Sequence, residues 1–146
     1  MHKSKLKSFF GFVGTFFTRL AEPALENSGI CVKLNPGDLT DRAAIAQIKT
    51  SKAQNDSGFA KVSDYLTSLI PRQVIEQQDL LIQLMRTNQS LWTAEDKIRA
   101  AIKADDQKAI ADWAVNICRL NDERTHLKRK IDALCDTTSS EVKIYS

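Results

Sequence analysis

The chain has 146 residues, of which 42% are hydrophobic and 27% charged, and its formal net charge is +3. This length accommodates one domain with a substantial core and is too short for two comfortable domains. The small net charge does not by itself indicate a nucleic-acid partner. Five glycines and three prolines supply little material for a turn-rich all-β fold.

The cysteines and histidines are few and widely spaced. Cys31, Cys118 and Cys135 form no paired motif, and their odd number predicts reduced thiols and a cytoplasmic protein. His2 and His126 share no metal-ligand spacing with each other or with a cysteine. We therefore predict neither a metal site nor a cofactor.

Residues 1–22 form a separate Phe-rich segment with a basic start. Its apolar run is too short and too interrupted for a transmembrane helix, which needs about 20 apolar residues. We interpret the segment as an amphipathic helix that contacts the protein, a second copy or a partner, because large apolar patches mark interfaces. Contact with a membrane surface and removal as a signal peptide remain alternatives. The predicted interface residues are Phe9, Phe10, Phe12, Phe16 and Phe17.

A single helical domain is predicted over residues 30–146. At its two ends, residues 30–34 and 141–145 alternate apolar and polar side chains, which indicates short strands. We predict that these strands pair as a small two-stranded ribbon. Such a ribbon is marginally stable unless it packs on helices.

Two helices are predicted next. The first follows a turn at residues 35–37, with Asp38 as its N-cap, and extends to about Lys52. Asp41 lies three residues after Asp38, as in a capping box, and shares a helix face with Ile45 and Ile48. The favoured interpretation is that Asp41 only caps the helix and that Lys49 is a solvated charge. The second helix is predicted over residues 59–70, before Pro71.

Residues 72–134 are predicted to form two long helices that fold back on each other, so that the whole chain is mainly α. The polar stretch from Lys103 to Lys108 can turn the chain, and Asp105 or Asp106 can cap the second helix. A short connection makes the helices antiparallel neighbours in a hairpin or bundle. Their facing stripes carry apolar residues at steps of three and four. In the second helix these are Ile110, Trp113, Ile117, Leu120, Leu127, Ile131 and Leu134.

Polar residues interrupt both apolar stripes. Folding about the turn places Asn88 level with Arg124 and Trp92 level with Leu120. Because charges are rarely buried without partners, we predict a polar cluster between the helices, with Trp92 packed against it. Its members are Asn88, Glu95, Arg99, Asn121 and Arg124, and Lys128 joins them if the cluster binds a ligand.

Three pieces of the sequence carry a resemblance to known proteins. The first is Gly37-Asp38-Leu39-Thr40-Asp41-Arg42 with Ile45, Ile48 and Lys49. The second is Asn88, Leu91-Trp92, Glu95-Asp96 and Ile98-Arg99. The third is Asn121-Asp122, Arg124, Leu127-Lys128-Arg129 and Ile131, together with the end at residues 141–145.

In this combination the chain, from about residue 30 onwards, resembles a family of small bacterial and phage helical proteins classed only as a domain of unknown function. That family typically shows Gly-Glu-Leu, an Asp-Lys pair and a Leu-Glu-Ile-Lys run in the first piece. Thr40, Ala44 and Gln47 depart from the pattern, and residues 1–22 lie outside it. The resemblance implies no activity.

Two functions are weighed. The favoured hypothesis is a non-enzymatic structural or interaction protein that self-associates or docks a protein partner through its Phe-rich N-terminal segment. The polar cluster then holds the helices in register. The chain shows no nucleophile with a paired base and no phosphate-binding loop, so no catalytic residue is assigned. Besides the cytoplasm, a membrane surface or a phage particle remains an expected location.

The alternative is a protein or enzyme that binds a small ligand bearing a phosphate or carboxylate. The cationic and amide members of the cluster would hold the anion, and Glu95 would be the acid or base. Nucleic-acid binding is disfavoured because the basic run near Arg129 is short, offset by acidic neighbours and without interleaved aromatics. Under both leading hypotheses Arg124→Met is expected to leave the fold intact.

Overall fold

The computed structural model describes residues 34–53 and 57–136. Within these ranges the chain forms five helices and no strand, which confirms the mainly α prediction. They are α1 (Pro36–Lys52), α2 (Ser57–Ser68), α3 (Arg72–Ile75), α4 (Gln78–Lys103) and α5 (Gln107–Leu134). The Phe-rich segment over residues 1–22 lies outside the described residues, as does the predicted ribbon apart from Leu34.

The two longest helices, α4 and α5, pack along each other and form the frame of the fold. Asp105 in the connection has a φ of 53°, a left-handed conformation that Asp tolerates better than most residues. Asp106 caps α5, because its side chain accepts a hydrogen bond of 3.0 Å from the Ala109 N–H. Across the two helices the Thr87 hydroxyl donates to Glu123 at 3.1 Å.

Two predicted helix starts are wrong. The helix before the turn does not run from Arg72 without interruption: α3 is a separate short helix, and α4 begins at Gln78. The four residues from Glu76 to Asp79 are polar and exposed, so no apolar side chain anchors a continuous helix there. Further upstream, α1 begins at Pro36, a residue whose fixed φ suits the first helical position. Asp38 therefore lies inside the first turn and is not the N-cap.

The main core lies where α1 and α3 pack against one half of the α4–α5 hairpin, while α2 packs on α1. Ile48, Val74, Leu84 and Ile131 are among its most deeply buried side chains, and they come from four different helices. Burying each of these side chains contributes about 2 kcal/mol of apolar transfer free energy. Docking α1 on both long helices also sets the position of the polar residues described next.

The other half of the hairpin has a second, smaller core. Among the described residues this cluster comes from α4 and α5 alone: Leu91, Ala94 and Leu120, with Trp113 and Ile117 packed against them. The predicted apolar stripes therefore do not stay buried to their ends. Ile102 is 58% exposed, because a pair of helices can shield only the faces turned towards each other, and at the opposite end of α5 Leu134 is 37% exposed. None of the helices in the described ranges is long and apolar enough to cross a membrane.

Candidate functional site

A buried carboxylate, Asp41 of α1, lies at the centre of the site. Its side chain is 5% exposed and receives hydrogen bonds from both long helices. The Asn88 amide of α4 donates to Oδ1 at 2.9 Å, and Arg124 Nε of α5 donates to the same oxygen at 2.8 Å. Arg124 Nη2 pairs with Oδ2, so the guanidinium and the carboxylate form a two-point ion pair.

The contacts of Asp41 agree with the predicted pairing of α4 with α5, but the carboxylate that binds Arg124 is not the predicted one. Asn88 and Arg124 do lie level with each other, because both reach the same carboxylate. That carboxylate is Asp41 of α1, so the interpretation of Asp41 as only a helix cap is wrong. A sequence signal for its burial existed, since Asp41 shares its helix face with Ile48, which is 2% exposed. Periodicity places a residue on the buried face but does not show which distant cation meets it.

Two of the predicted cluster members lie on the surface and do not join the site. Glu95 and Arg99 are 52% and 60% exposed and pair with each other at 2.8 Å along α4. Arg99 also bonds Asp96 at 3.1 Å. A four-residue helical spacing brings such side chains together without any tertiary contact, and exposed pairs of this kind contribute little to stability. The prediction of Glu95 and Arg99 in a buried cluster is therefore wrong.

The other predicted members have distinct roles. Asn121 is half-buried and donates to the Ile117 carbonyl of its own helix at 3.1 Å. Trp92 is half-buried and packs against the main core. Lys128, one turn beyond Arg124, forms an ion pair of 2.7 Å with Asp38, so a second carboxylate of α1 meets a second cation of α5.

A third link brings the start of α1 very close to α5. The Gly37 N–H donates to Asp132 Oδ1 at 2.8 Å in a buried hydrogen bond. A Cβ atom at Gly37 would lie 2.4 Å from the Lys128 carbonyl oxygen, so only glycine fits at this distance. The backbones of α1 and α5 can approach each other this closely because Gly37 lacks a side chain.

The two ion pairs, Asp41–Arg124 and Asp38–Lys128, lie at one edge of a groove of about 690 Å³ between α1, α2 and α5, which we call the α1/α2/α5 groove. The three helices contribute different chemistry. Among the described side chains, those that line the groove from α2 are apolar and those from α5 are cationic, while α1 contributes both charged and apolar ones. The lining residues are Leu34, Asp38, Asp41, Arg42, Ile45, Ala46, Lys49, Phe59, Val62, Leu66, Arg124 and Lys128.

The described lining of the groove carries a net positive charge, because it has four cationic side chains and two carboxylates. Both carboxylates are neutralised by α5, Asp41 by Arg124 and Asp38 by Lys128. Arg42 and Lys49 are exposed and lie seven residues apart, which places them on the same face of α1. The Lys49 ammonium lies 5.7 Å from the centre of the Phe59 ring, where a cation–π interaction is favourable.

The site residues do not indicate metal or thiol chemistry. Among residues 34–53 and 57–136, no three His, Cys, Asp or Glu side chains lie close enough together to hold a metal ion. Burial raises the pKa of the Cys135 thiol, and the negative charges of Asp132 and Asp136 raise it further. A thiol with a raised pKa carries less of the reactive thiolate at neutral pH.

Comparison of the chain with protein-family models, with curated proteins and with solved structures finds no match. Function is therefore inferred from the groove and from the residues that build it.

Proposed function

We propose that this chain is a non-catalytic binding protein whose α1/α2/α5 groove holds a ligand bearing a phosphate or carboxylate group. The observation that carries the proposal is the charge of the groove: four cationic side chains line it, and its two carboxylates are already paired with α5. Arginine binds oxyanions well because its planar fork presents two donors to two oxygens. A volume of about 690 Å³ also lies within the range usual for small-molecule sites.

A binding role is favoured over catalysis because the acidic side chains of the groove are engaged in ion pairs. A general base must reach the proton that it removes, and Asp41 is buried against Arg124 and Asn88. Glu95, which the sequence suggested as acid or base, does not line the groove and pairs with Arg99 on the surface. In this proposal Asp41 positions Arg124, while Arg42 and Lys49 meet the anion.

We also propose that the chain belongs to the helical family that it resembles. The support is spatial: the three pieces of sequence that carry the resemblance are far apart along the chain, and each contributes a residue to one contact. Asp41 comes from the first piece, Asn88 from the second and Arg124 from the third.

Replacing Arg42 and Lys49 with glutamine is expected to weaken binding of a phosphate-bearing ligand by about tenfold for each residue, since each loses a charged donor. The measurement is titration calorimetry with a panel of organic phosphates and carboxylates, first on the unaltered protein and then on each variant. Circular dichroism should show unchanged helix content, because both side chains are exposed.

Lys52→Gln provides the matched control. Lys52 lies on the same helix and is exposed like Lys49, but it does not line the groove. The groove proposal predicts that this variant binds like the unaltered protein. An equal loss in all three variants would indicate attraction by overall charge, and binding by none of the panel would reject the proposed function.

Self-association is a second candidate function, and one observation favours it. The half of the α4–α5 hairpin that contains the smaller core exposes large apolar side chains on both helices. Ile102 of α4 is 58% exposed and Val115 of α5 is 71% exposed. Pairing of two helical hairpins into a four-helix bundle is a common way to cover such faces. The Phe-rich segment at residues 1–22 remains the other candidate contact for a second copy or a protein partner.

Light scattering over a range of protein concentrations tests self-association. A mass above that of the 16.4 kDa chain is expected at high concentration. Val115→Lys should lower that mass if the hairpin mediates the contact, and paired Phe12→Ser and Phe16→Ser should lower it if the N-terminal segment does. A monomer at every concentration would exclude this candidate.

A further inference from the structure

The apolar side of the α1/α2/α5 groove has no role in binding an anion. Phe59, Val62 and Leu66 lie one turn apart along α2 and present a continuous apolar surface to the groove. Val62 is 50% exposed, which makes it one of the more exposed large apolar side chains among the described residues. An anion alone would make no contact with these apolar side chains.

We propose that the natural ligand is amphiphilic: an anionic head, phosphate or carboxylate, joined to a hydrocarbon or aromatic body. This inference rests on the function proposed above and adds the class of ligand. The head lies beside Arg42 and Lys49 of α1, and the body lies along Phe59, Val62 and Leu66 of α2. In this position one molecule pairs with the cationic side chains of α1 and also covers the apolar side chains of α2.

The arrangement of the groove argues against other anions. A sugar phosphate would place hydroxyl groups against the α2 surface, where none of the described polar side chains lines the groove to receive them, and unsatisfied polar groups are costly to bury. A long polyanion such as a nucleic acid needs repeated cationic contacts, whereas the cations here lie along one groove that also contains Asp38 and Asp41.

Lys49 marks the border between the two surfaces. Its ammonium lies over the Phe59 ring at 5.7 Å, so the charged and apolar sides meet at this pair. An anionic head placed at Lys49 therefore leaves its attached body next to Phe59, with Val62 and Leu66 further along α2.

A homologous series of alkyl phosphates tests the inference on the full-length chain. Titration calorimetry with inorganic phosphate, butyl, hexyl and octyl phosphate, below their aggregation concentrations, should show affinity rising with chain length. Each methylene buried in the groove is expected to tighten binding by about fourfold. Hexanol, which lacks the head, should bind far more weakly than hexyl phosphate.

Three variants separate the two sides of the groove. Arg42→Gln should weaken every alkyl phosphate by the same factor and leave the dependence on chain length unchanged. Val62→Ser should reduce that dependence. Leu69→Ser is the matched control, because Leu69 is 44% exposed near the end of α2 but does not line the groove, and it should change neither quantity.

The outcomes distinguish this inference from the proposed function. Binding that depends on Arg42 and Lys49 but not on chain length overturns the amphiphilic ligand and leaves the anion-binding function standing. Absence of binding by every phosphate and carboxylate rejects both. Equal affinity for hexanol and hexyl phosphate overturns the anionic head.

Vesicles containing phosphatidic acid test whether the natural ligand is a membrane lipid or a free metabolite. If the protein binds the vesicles, and Val62→Ser and Arg42→Gln weaken that binding, the ligand is a membrane lipid. If the protein binds soluble octyl phosphate but not the vesicles, the ligand is a free metabolite.

Discussion

Replacing Asp41 with alanine is expected to lower the free energy of unfolding by about 3 kcal/mol, because it removes one partner of a buried ion pair. Arg124 would keep its charge at a position only 28% exposed, and the buried Asn88 amide would lose its acceptor. The same change removes the polar contact that joins α1 to both long helices at one carboxylate. Urea denaturation followed by circular dichroism measures the loss.

Arg124→Met is expected to have an effect of similar size, about 3 kcal/mol, since it leaves the carboxylate of Asp41 buried without its cation. The structure thereby replaces the expectation from the sequence that this variant keeps the fold intact. That expectation assumed that Arg124 could be removed without leaving a charge behind. Combining Asp41→Ala with Arg124→Met should cost at least about 1 kcal/mol less than the two single changes added together, because the double variant leaves neither charge buried without its partner.

Glu95→Ala serves as the control for this ion pair. It also removes a carboxylate from an arginine, but both side chains are more than half exposed, so a change within about 0.5 kcal/mol is expected. If Asp41→Ala and Glu95→Ala had the same small effect, the Asp41–Arg124 pair would not hold α1 in place.

Gly37→Ala is expected to destabilise the protein by about 3 kcal/mol, the upper part of the range for an added methyl group in a tightly packed place. The new Cβ would lie 2.4 Å from the Lys128 carbonyl oxygen, a backbone atom that cannot rotate away. The start of α1 must therefore move away from α5, and this movement breaks the 2.8 Å hydrogen bond from the Gly37 N–H to Asp132. Thermal and urea unfolding should both report the loss.

The sign of this effect is informative, because glycine to alanine in a helix normally stabilises by about 0.5–1 kcal/mol. Gly58→Ala is the matched control: Gly58 lies in the first turn of α2 and is exposed. Its substitution should be neutral or slightly stabilising. A stabilising Gly37→Ala would mean that α1 and α5 do not approach as closely as described.

Much of the helical fold could be predicted from the order of residues alone. The apolar periodicity within residues 72–134 predicts two long helices, and the polar residues around Asp105 and Asp106 predict the turn between them. These are local properties, because side-chain spacing and capping depend on neighbours within a few residues. The position of Asn88 opposite Arg124 could also be predicted, because it follows from counting equal numbers of residues on each side of the turn.

Contacts between distant elements could not be obtained in this way. Glu95 was the expected carboxylate because it lies on the neighbouring helix, whereas Asp41, 83 residues before Arg124, is the one that binds it. Only the docking of α1 on the hairpin makes that choice. The α1/α2/α5 groove depends on the same docking, since its lining comes from three helices that only the tertiary fold brings together.

The sequence by itself therefore determined the helical class, the position of the main turn and the register of the two long helices, because these follow from periodicity and chain connectivity. The tertiary structure alone decided that Asp41 is buried and that Gly37 contacts α5. It also decided that the cationic side chains of α1 and α5 share the α1/α2/α5 groove with the apolar side chains of α2. These properties arise from the angle and depth at which α1 and α2 pack, which depend on side chains brought together from all parts of the described chain.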